Sequence, residues 1–192
     1  MAAPMGSQRK FFLMLLFALS VPVVQCYIGI WETFFLKILY PEDVSYVYEV
    51  KPARTFGGLF EQYYDEIELV PSLPADGCRT LENSLDVQDQ IALVKRGGCS
   101  FLSKAVNVAD SGAAAVFIYD NNSQNDWAFI DMIGDDTERE TVLPAAFMLG
   151  RDGQRIVESL VRNGVRSAVL TMPYNITGIP IGQINKAPWT LW

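Results

Sequence analysis

Few residues in this chain can do chemistry, because its 192 residues include no histidine. Without histidine there is no Ser–His or Cys–His pair to activate a nucleophile, and no imidazole ligand for a catalytic zinc ion. The chain also lacks the GxxxxGK[ST] and GxGxxG patterns whose backbone amides cradle nucleotide phosphates. These absences argue against hydrolase, kinase and dehydrogenase chemistry. We therefore expect a non-enzymatic chain that needs no cofactor.

One carboxylate motif is compatible with catalysis. Asp110-Ser111-Gly112-Ala113 resembles the D-[ST]-G-A loop of aspartic proteases, which need two such carboxylates sharing one proton. The chain has a single copy of the motif, so an enzyme of this kind would have to be a dimer. Because Asp110 also follows a predicted helix, we interpret it as a helix terminus.

The segment from Asp120 to Glu140 is rich in carboxylates, whose oxygens are ligands that calcium prefers. It does not match the D-x-[DN]-x-[DN]-G pattern of an EF-hand, and we interpret it as a solvated loop, with calcium binding left open. Trp127, Phe129 and Ile130 interrupt this acidic segment. We expect these apolar side chains to cover the core, and an exposed contact patch is the alternative.

The first 26 residues have the layout of a secretory signal peptide. Arg9 and Lys10 precede an apolar run from Phe11 to Val24, and Cys26 ends a suitable cleavage site. The run is roughly 14 residues long, shorter than the ~20 that a membrane-spanning helix needs, although an uncleaved anchor is the alternative. We expect a mature chain with no membrane anchor, secreted to the extracellular space or delivered to the endolysosomal lumen.

Three further features fit a secreted protein. In an oxidising compartment Cys78 and Cys99 most simply form a disulfide, and two free buried thiols are the alternative. The N-x-[ST] sequons predict N-glycans at Asn121 and Asn175, with Asn175 the better candidate. The net charge of −7 repels nucleic acid and anionic lipid, so we expect neither as a partner.

Short apolar runs predict buried strands, of which the clearest are Tyr46–Val50, Ile67–Val70, Ile91–Val94, Ala114–Tyr119, Pro144–Leu149 and Ala168–Met172. Ser100 is the predicted cap of a first helix, which has an apolar face and places Lys104 on the opposite, polar face. Asp152 is the predicted cap of a second helix that ends at Gly164. The pattern favours an α+β, mostly β fold: a β-barrel or sandwich with two short flanking helices.

Two motifs resemble the signatures of the protease-associated (PA) domain. The segment from Ile91 to Phe101, IALVKRGGCSF, is similar to the family's central motif, in which a strand runs into R-G-x-C-x-F and then a helix. Pro144-Ala145, followed by Gly150-Arg151-Asp152-Gly153, is similar to its second signature. The resemblance covers roughly residues 65–172. It implies a β-rich fold with flanking helices, no catalysis by the domain itself, and binding of peptides or partner proteins.

We accordingly predict a signal peptide (1–26), an N-terminal extension whose strands pack on the domain (27–64), a PA domain core (65–172) and a C-terminal tail (173–192). The predicted function is a secreted, non-enzymatic glycoprotein that binds an unidentified protein or peptide. An accessory factor for a lumenal protease or sorting receptor is the alternative.

The turn at Gly97 and Gly98 is the predicted ligand-facing element, because glycine permits close approach of a backbone. We also expect a nearby strand edge to be able to pair with an extended peptide. A simple strand-to-helix turn is the alternative interpretation of the two glycines.

Overall fold

Seven β-strands form a closed barrel in the computed structural model, which describes residues 33–190. The strands are β1 (Phe34–Tyr40), β2 (Val47–Pro52), β3 (Tyr64–Pro71), β4 (Ile91–Lys95), β5 (Ala115–Tyr119), β6 (Ala145–Met148) and β7 (Ala168–Met172). The helices are α1 (Ser84–Val87), α2 (Phe101–Ala109) and α3 (Gly150–Asn163), with single 3-10 turns at Glu42–Val44 and Ile181–Gln183. The predicted signal peptide lies outside the described residues.

The strands follow one another around the barrel in the order β1-β2-β6-β5-β4-β3-β7, and β7 pairs with β1 to close it. Strands β3, β4, β5 and β6 run parallel, and the remaining pairings are antiparallel. The continuous apolar runs of β4, β5 and β6 fit this arrangement, because parallel strands are usually covered on both faces. The expectation of a mostly β barrel is confirmed.

Alternate residues along the strands supply two apolar clusters, as the period of two in a strand requires. The first cluster draws on all seven strands, for example Leu36, Phe117 and Leu170, and includes Ile156 of α3. The second draws on the opposite faces of β3 to β6 and on α2, for example Val108. Each parallel strand therefore packs an apolar layer on both sides.

The closed barrel contradicts one expectation. We expected a free strand edge beside the turn at Gly97 and Gly98, but each of the seven strands has a hydrogen-bonded neighbour on both sides. Strands β1 and β2, which lie within residues 27–64, contribute to this closure by pairing with β7 and β6. Any peptide bound by this part of the chain must therefore be recognised by side chains and loops.

The helices depart from the sequence prediction in two ways. The described residues contain three α-helices instead of two, because α1 is a single turn whose Leu85 is exposed and gives no apolar stripe. Helix α3 begins at Gly150, so Asp152 lies within its first turn and is not the cap. The predicted ends at Ser100 and Gly164 are confirmed. No helix in the described range 33–190 is long and apolar enough to cross a bilayer.

Candidate binding site at one end of the barrel

The turn between β4 and α2 depends on its two glycines. Gly97 and Gly98 have φ angles of +108° and +82°, a backbone region that side chains disfavour. A Cβ on Gly98 would also lie 3.0 Å from the Cys78 Sγ and 3.1 Å from an Asp76 oxygen. Backbone geometry and packing thus account for both glycines, and their ligand-facing role stays a prediction.

The predicted disulfide between Cys78 and Cys99 is confirmed, with a Cα–Cα distance of 5.7 Å. Beside it lies the ammonium group of Lys104, which is fully buried. The ammonium donates hydrogen bonds to the carbonyl oxygens of Asp76 and Gly97 and lies 3.2 Å from the Cys78 Sγ. Burial lowers the pKa of Lys104, and the nearby Asp76 carboxylate opposes that effect.

The position of Lys104 corrects the sequence prediction, which placed it on the exposed face of α2. Its buried neighbours on the helix are Leu102, Ala105 and Val108, so this face is apolar apart from the lysine. In this buried position the ammonium is a hydrogen-bond donor to the carbonyl oxygens of Asp76 and Gly97. Helical periodicity alone carries no information about those carbonyls.

The acidic loop is tied to the body of the domain. Ser100 caps α2, because its side-chain oxygen accepts a hydrogen bond from the backbone N–H of Ser103. Its hydroxyl group also donates a hydrogen bond to the Asp135 carboxylate. Hydrogen bonds from Ser100 and then Thr137 lower the pKa of Asp135 to about 2, and Arg139 adds to this effect. In residues 33–190 no group of three or more Asp, Glu, Cys or His side chains is placed to hold a metal ion.

The apolar residues of this loop divide into two groups. Phe129 and Ile130 pack against the second cluster, as expected for residues that cover the core. Trp127 is 72% exposed, so for this residue the expectation of core cover is wrong. Its indole instead lines a small pocket described below.

A larger pocket of about 310 Å³, here called the basic pocket, lies where β4 and β5 end and α3 begins. It is lined by Lys95, Asn121, Ser123, Gln124, Arg151, Gln154, Arg155 and Glu158. A Cβ on Gly97 would lie 3.5 Å from the Asn121 side-chain nitrogen, so the glycine turn borders this pocket. Two residues predicted separately as sites, Gly97 and Asn121, are thus brought together.

Three cations and one carboxylate give the basic pocket its charge. Arg151 forms a 2.6 Å ion pair with Asp126, and Arg155 lies 3.7 Å from Glu158. Lysine, arginine and amide side chains donate hydrogen bonds, and here they converge on one cavity. The residues of this pocket come from three separate segments of the chain, and no local sequence motif marks them.

A second pocket of about 90 Å³, here called the aromatic pocket, touches the same first turn of α3. It is lined by Val47, Tyr48, Glu49, Trp127, Phe129, Leu149, Asp152 and Thr190. Val50 of β2 pairs antiparallel with Met148 of β6, so the start of β2 lies at the end of the barrel where β6 leads into α3. Both pockets therefore belong to one end of the domain.

Asp152 is the buried carboxyl group of the aromatic pocket, with 1% of its surface exposed. Its Oδ1 accepts a 2.8 Å hydrogen bond from the Trp189 indole N–H. Burial raises the pKa of Asp152 to about 7; Asp126 and Glu49 add to this increase, while Trp189 and Arg151 oppose it. This strongly shifted group was missed because its position in the sequence suggested a helix cap.

The Asp152 carboxyl should make stability depend on pH. Its folded-state pKa of about 7 lies above the ordinary value of 3.8, so the stabilisation is complete below about pH 4 and is lost as the pH rises through about 7. At ~1.4 kcal/mol per pH unit, the free energy of unfolding should fall by up to about 3 kcal/mol between pH 5 and 7. The Asp152→Asn side chain can still accept a hydrogen bond from the indole N–H. In this variant the slope of unfolding free energy against pH should disappear, as measured by denaturant titrations at each pH.

The matched control for this experiment is Asp86→Asn, which alters a half-exposed carboxylate 3.7 Å from Arg166. This variant should keep the wild-type slope. An unchanged slope in Asp152→Asn would show that another group is responsible for the pH dependence.

The other predicted site residues lie at the surface or at an element boundary. Asn121 and Asn175 are both exposed, and the Asn175 side-chain oxygen accepts the Thr177 N–H at 2.8 Å in a local turn. Asp110 is the C-terminal boundary residue of α2, as interpreted from the sequence. Glycosylation at the two asparagines stays a prediction.

Comparisons with known proteins agree with the fold. The family model described as the PA domain matches residues 66–156. Over 176 residues the chain is 34% identical to the PRADC1-like protein of Drosophila melanogaster, covering 91% of this chain and 89% of the relative. The chain therefore belongs to the PA domain family. Within that family the PRADC1-like protein is a relative that this chain matches over nearly the whole length of both.

Two further matches involve only part of a larger protein. Human ER degradation-enhancing alpha-mannosidase-like protein 3 is 33% identical over 93 residues, which is 46% of this chain and 10% of the relative. The aminopeptidase from Aneurinibacillus sp. strain AM-1 has a TM-score of 0.50 and 25% identity, covering 72% of this chain and 29% of that enzyme. The chain is thus similar to a part of each.

Proposed function

We propose that the chain is a secreted, non-enzymatic glycoprotein whose PA domain binds a protein or peptide at the end of the barrel that carries the two pockets. The proposal rests on one observation, which is that the basic pocket and the aromatic pocket both border the first turn of α3. Concave sites with a few convergent polar groups are the usual places for ligand recognition. A closed barrel directs recognition to such side chains, because its strands have no free edge.

The disulfide and the first 26 residues support the proposed compartment. A disulfide between Cys78 and Cys99 is expected to persist in an oxidising environment. The basic start and apolar run of residues 1–26 match a signal peptide. Both features favour a route through the secretory pathway.

A photo-crosslinking amino acid at Gln124 tests the binding proposal, because Gln124 lines the basic pocket and is exposed. The matched control position is Arg166, which is exposed and follows the opposite end of α3. Irradiation in conditioned medium should give a discrete cross-linked product from position 124 and none from position 166. Products from position 166 alone would place binding elsewhere and contradict the proposal.

The second candidate is an accessory factor for a lumenal protease or sorting receptor, and the match to one part of an aminopeptidase favours it. Cell fractionation separates the candidates. A secreted binding module should accumulate in the medium with Tyr27 as its first residue, whereas an accessory factor should co-purify with endolysosomal membranes. An intact chain beginning at Met1 would contradict both.

Exposure predicts that both sequons can be glycosylated. Asn175→Gln should remove one glycan and increase electrophoretic mobility by one step, because Asn175 is exposed in a surface turn. Asn121→Gln should remove a second. Peptide N-glycosidase treatment should bring wild type and both variants to the same mobility. Identical mobility of untreated wild type and both variants would contradict glycosylation at these sites.

A further inference from the structure

The aromatic pocket contains a carboxyl group without a neutralising partner. In the described part of the chain no lysine or arginine forms an ion pair with Asp152. The neighbouring Arg151 is engaged elsewhere, by Asp126 at 2.6 Å and by the Trp189 carbonyl oxygen at 3.1 Å. Burying a carboxylate is costly unless it is paired, so an external cation would relieve this cost.

The walls of the pocket also suit a cation. Trp127 is 72% exposed although its indole lines the cavity, and Phe129 and Tyr48 contribute further aromatic surface. Ring faces attract ammonium and guanidinium groups, tryptophan most strongly. Glu49 adds a second carboxylate to the lining. Aromatic side chains beside carboxylates therefore provide both parts of a cation site.

The size of the pocket limits what can enter. Its volume of about 90 Å³ is enough for a few water molecules. The end of a lysine or arginine side chain fits this space, whereas a whole folded loop does not. The chain's net charge of −7 would further attract a basic partner.

We propose that the aromatic pocket binds the cationic end of a lysine or arginine side chain, with the Asp152 carboxylate as its ion-pair partner and Trp127 packed over it. The cation belongs to the protein or peptide partner, so to that extent this inference rests on the function proposed above. It deepens that function by naming a basic residue as the part of the partner that is recognised.

Binding should be coupled to protons. The groups around Asp152 are Trp189 from the tail, Glu49 and Tyr48 from β2, Asp126 from the acidic loop and Arg151 from α3. A bound cation stabilises the ionised carboxylate, so a proton leaves Asp152 on binding near neutral pH. Affinity should therefore fall as the medium becomes acidic.

Isothermal titration of the secreted chain tests the proposal. The probes are Nα-acetyl-lysine methylamide, the corresponding arginine compound, and Nα-acetyl-norleucine methylamide as the uncharged control. One of the cationic probes should bind at least about tenfold more tightly than norleucine, the equivalent of ~1.4 kcal/mol. Its affinity should fall about tenfold between about pH 7.5 and pH 5.5.

Two variants locate the binding. Asp152→Asn should lose at least about tenfold in affinity for the cationic probe, and its near-UV circular dichroism and unfolding transition check that it folds. Trp127→Leu changes a mostly exposed side chain and should weaken binding without affecting the fold. Asp86→Asn is the control and should bind like wild type.

Three results would overturn the inference: equal binding of norleucine, no binding of either cationic probe at about 10 mM, or full binding by Asp152→Asn. These failures are distinguishable from failure of the proposed function. A cross-link from position 124 without cation binding would leave the binding module standing and remove only its basic ligand. Cation binding without any cross-linked partner would leave the cation site standing and contradict the proposed protein-binding function.

Discussion

Gly153→Ala should prevent stable folding and secretion, even though alanine is the better helix former by up to ~1 kcal/mol. A Cβ at Gly153 would lie 2.2 Å from the Cβ and 2.3 Å from the Cγ of Tyr119. Tyr119 is buried in the first apolar cluster, and because its Cβ is fixed by the backbone, no side-chain rotation relieves that clash. Helix α3 would have to move off the barrel, which we expect to cost about 3 kcal/mol, the upper end of the usual cost of overpacking.

The control for this prediction is Gly182→Ala. Gly182 has no atom within 4 Å of an added Cβ, so alanine there should be tolerated. Secretion yield and the denaturant midpoint of any recovered protein are the measurements. Wild-type stability of Gly153→Ala would show that α3 does not lie against β5 as described.

Lys104→Met should destabilise the domain by about 3 kcal/mol, because it leaves the buried carbonyls of Asp76 and Gly97 without their donor. Methionine fills nearly the same volume, so the loss reports mainly on the hydrogen bonds. Unfolding in denaturant, with the disulfide intact, measures this loss.

The comparison variant is Lys51→Met, which removes a partly exposed ammonium from a 2.7 Å ion pair with Asp131. Surface pairs of this kind contribute up to ~1 kcal/mol, so this variant should lose much less stability. Equal losses in the two variants would mean that Lys104 has no special role beside the disulfide.

The sequence predicts the parts of the fold that depend on neighbouring residues. The apolar run of β4, the Ser100 cap and the end of α3 at Gly164 could all be located, because burial period and capping chemistry are local signals. Which strands pair to close the barrel could not be predicted. Closure depends on pairing β1 with β7, whose residues are more than a hundred positions apart.

The functional residues that were missed are those whose role comes from distant partners. Lys104 is polar and was assigned to the exposed face of α2, yet the carbonyls of Asp76 and Gly97 draw it inward. Asp152 has the residue type of a helix cap, but Trp189, 37 positions further along, supplies its hydrogen bond. Neither partner can be inferred from the spacing of residues around the helix.

Closure of the barrel also bears on how the protein behaves at high concentration. Exposed strand edges are the usual templates on which one copy of a β-protein adds to another and begins an ordered aggregate. Each of the seven strands here is already hydrogen-bonded on both sides, and the net charge of −7 makes copies repel one another. The folded domain is therefore protected from strand-mediated self-assembly, and aggregation should require unfolding first.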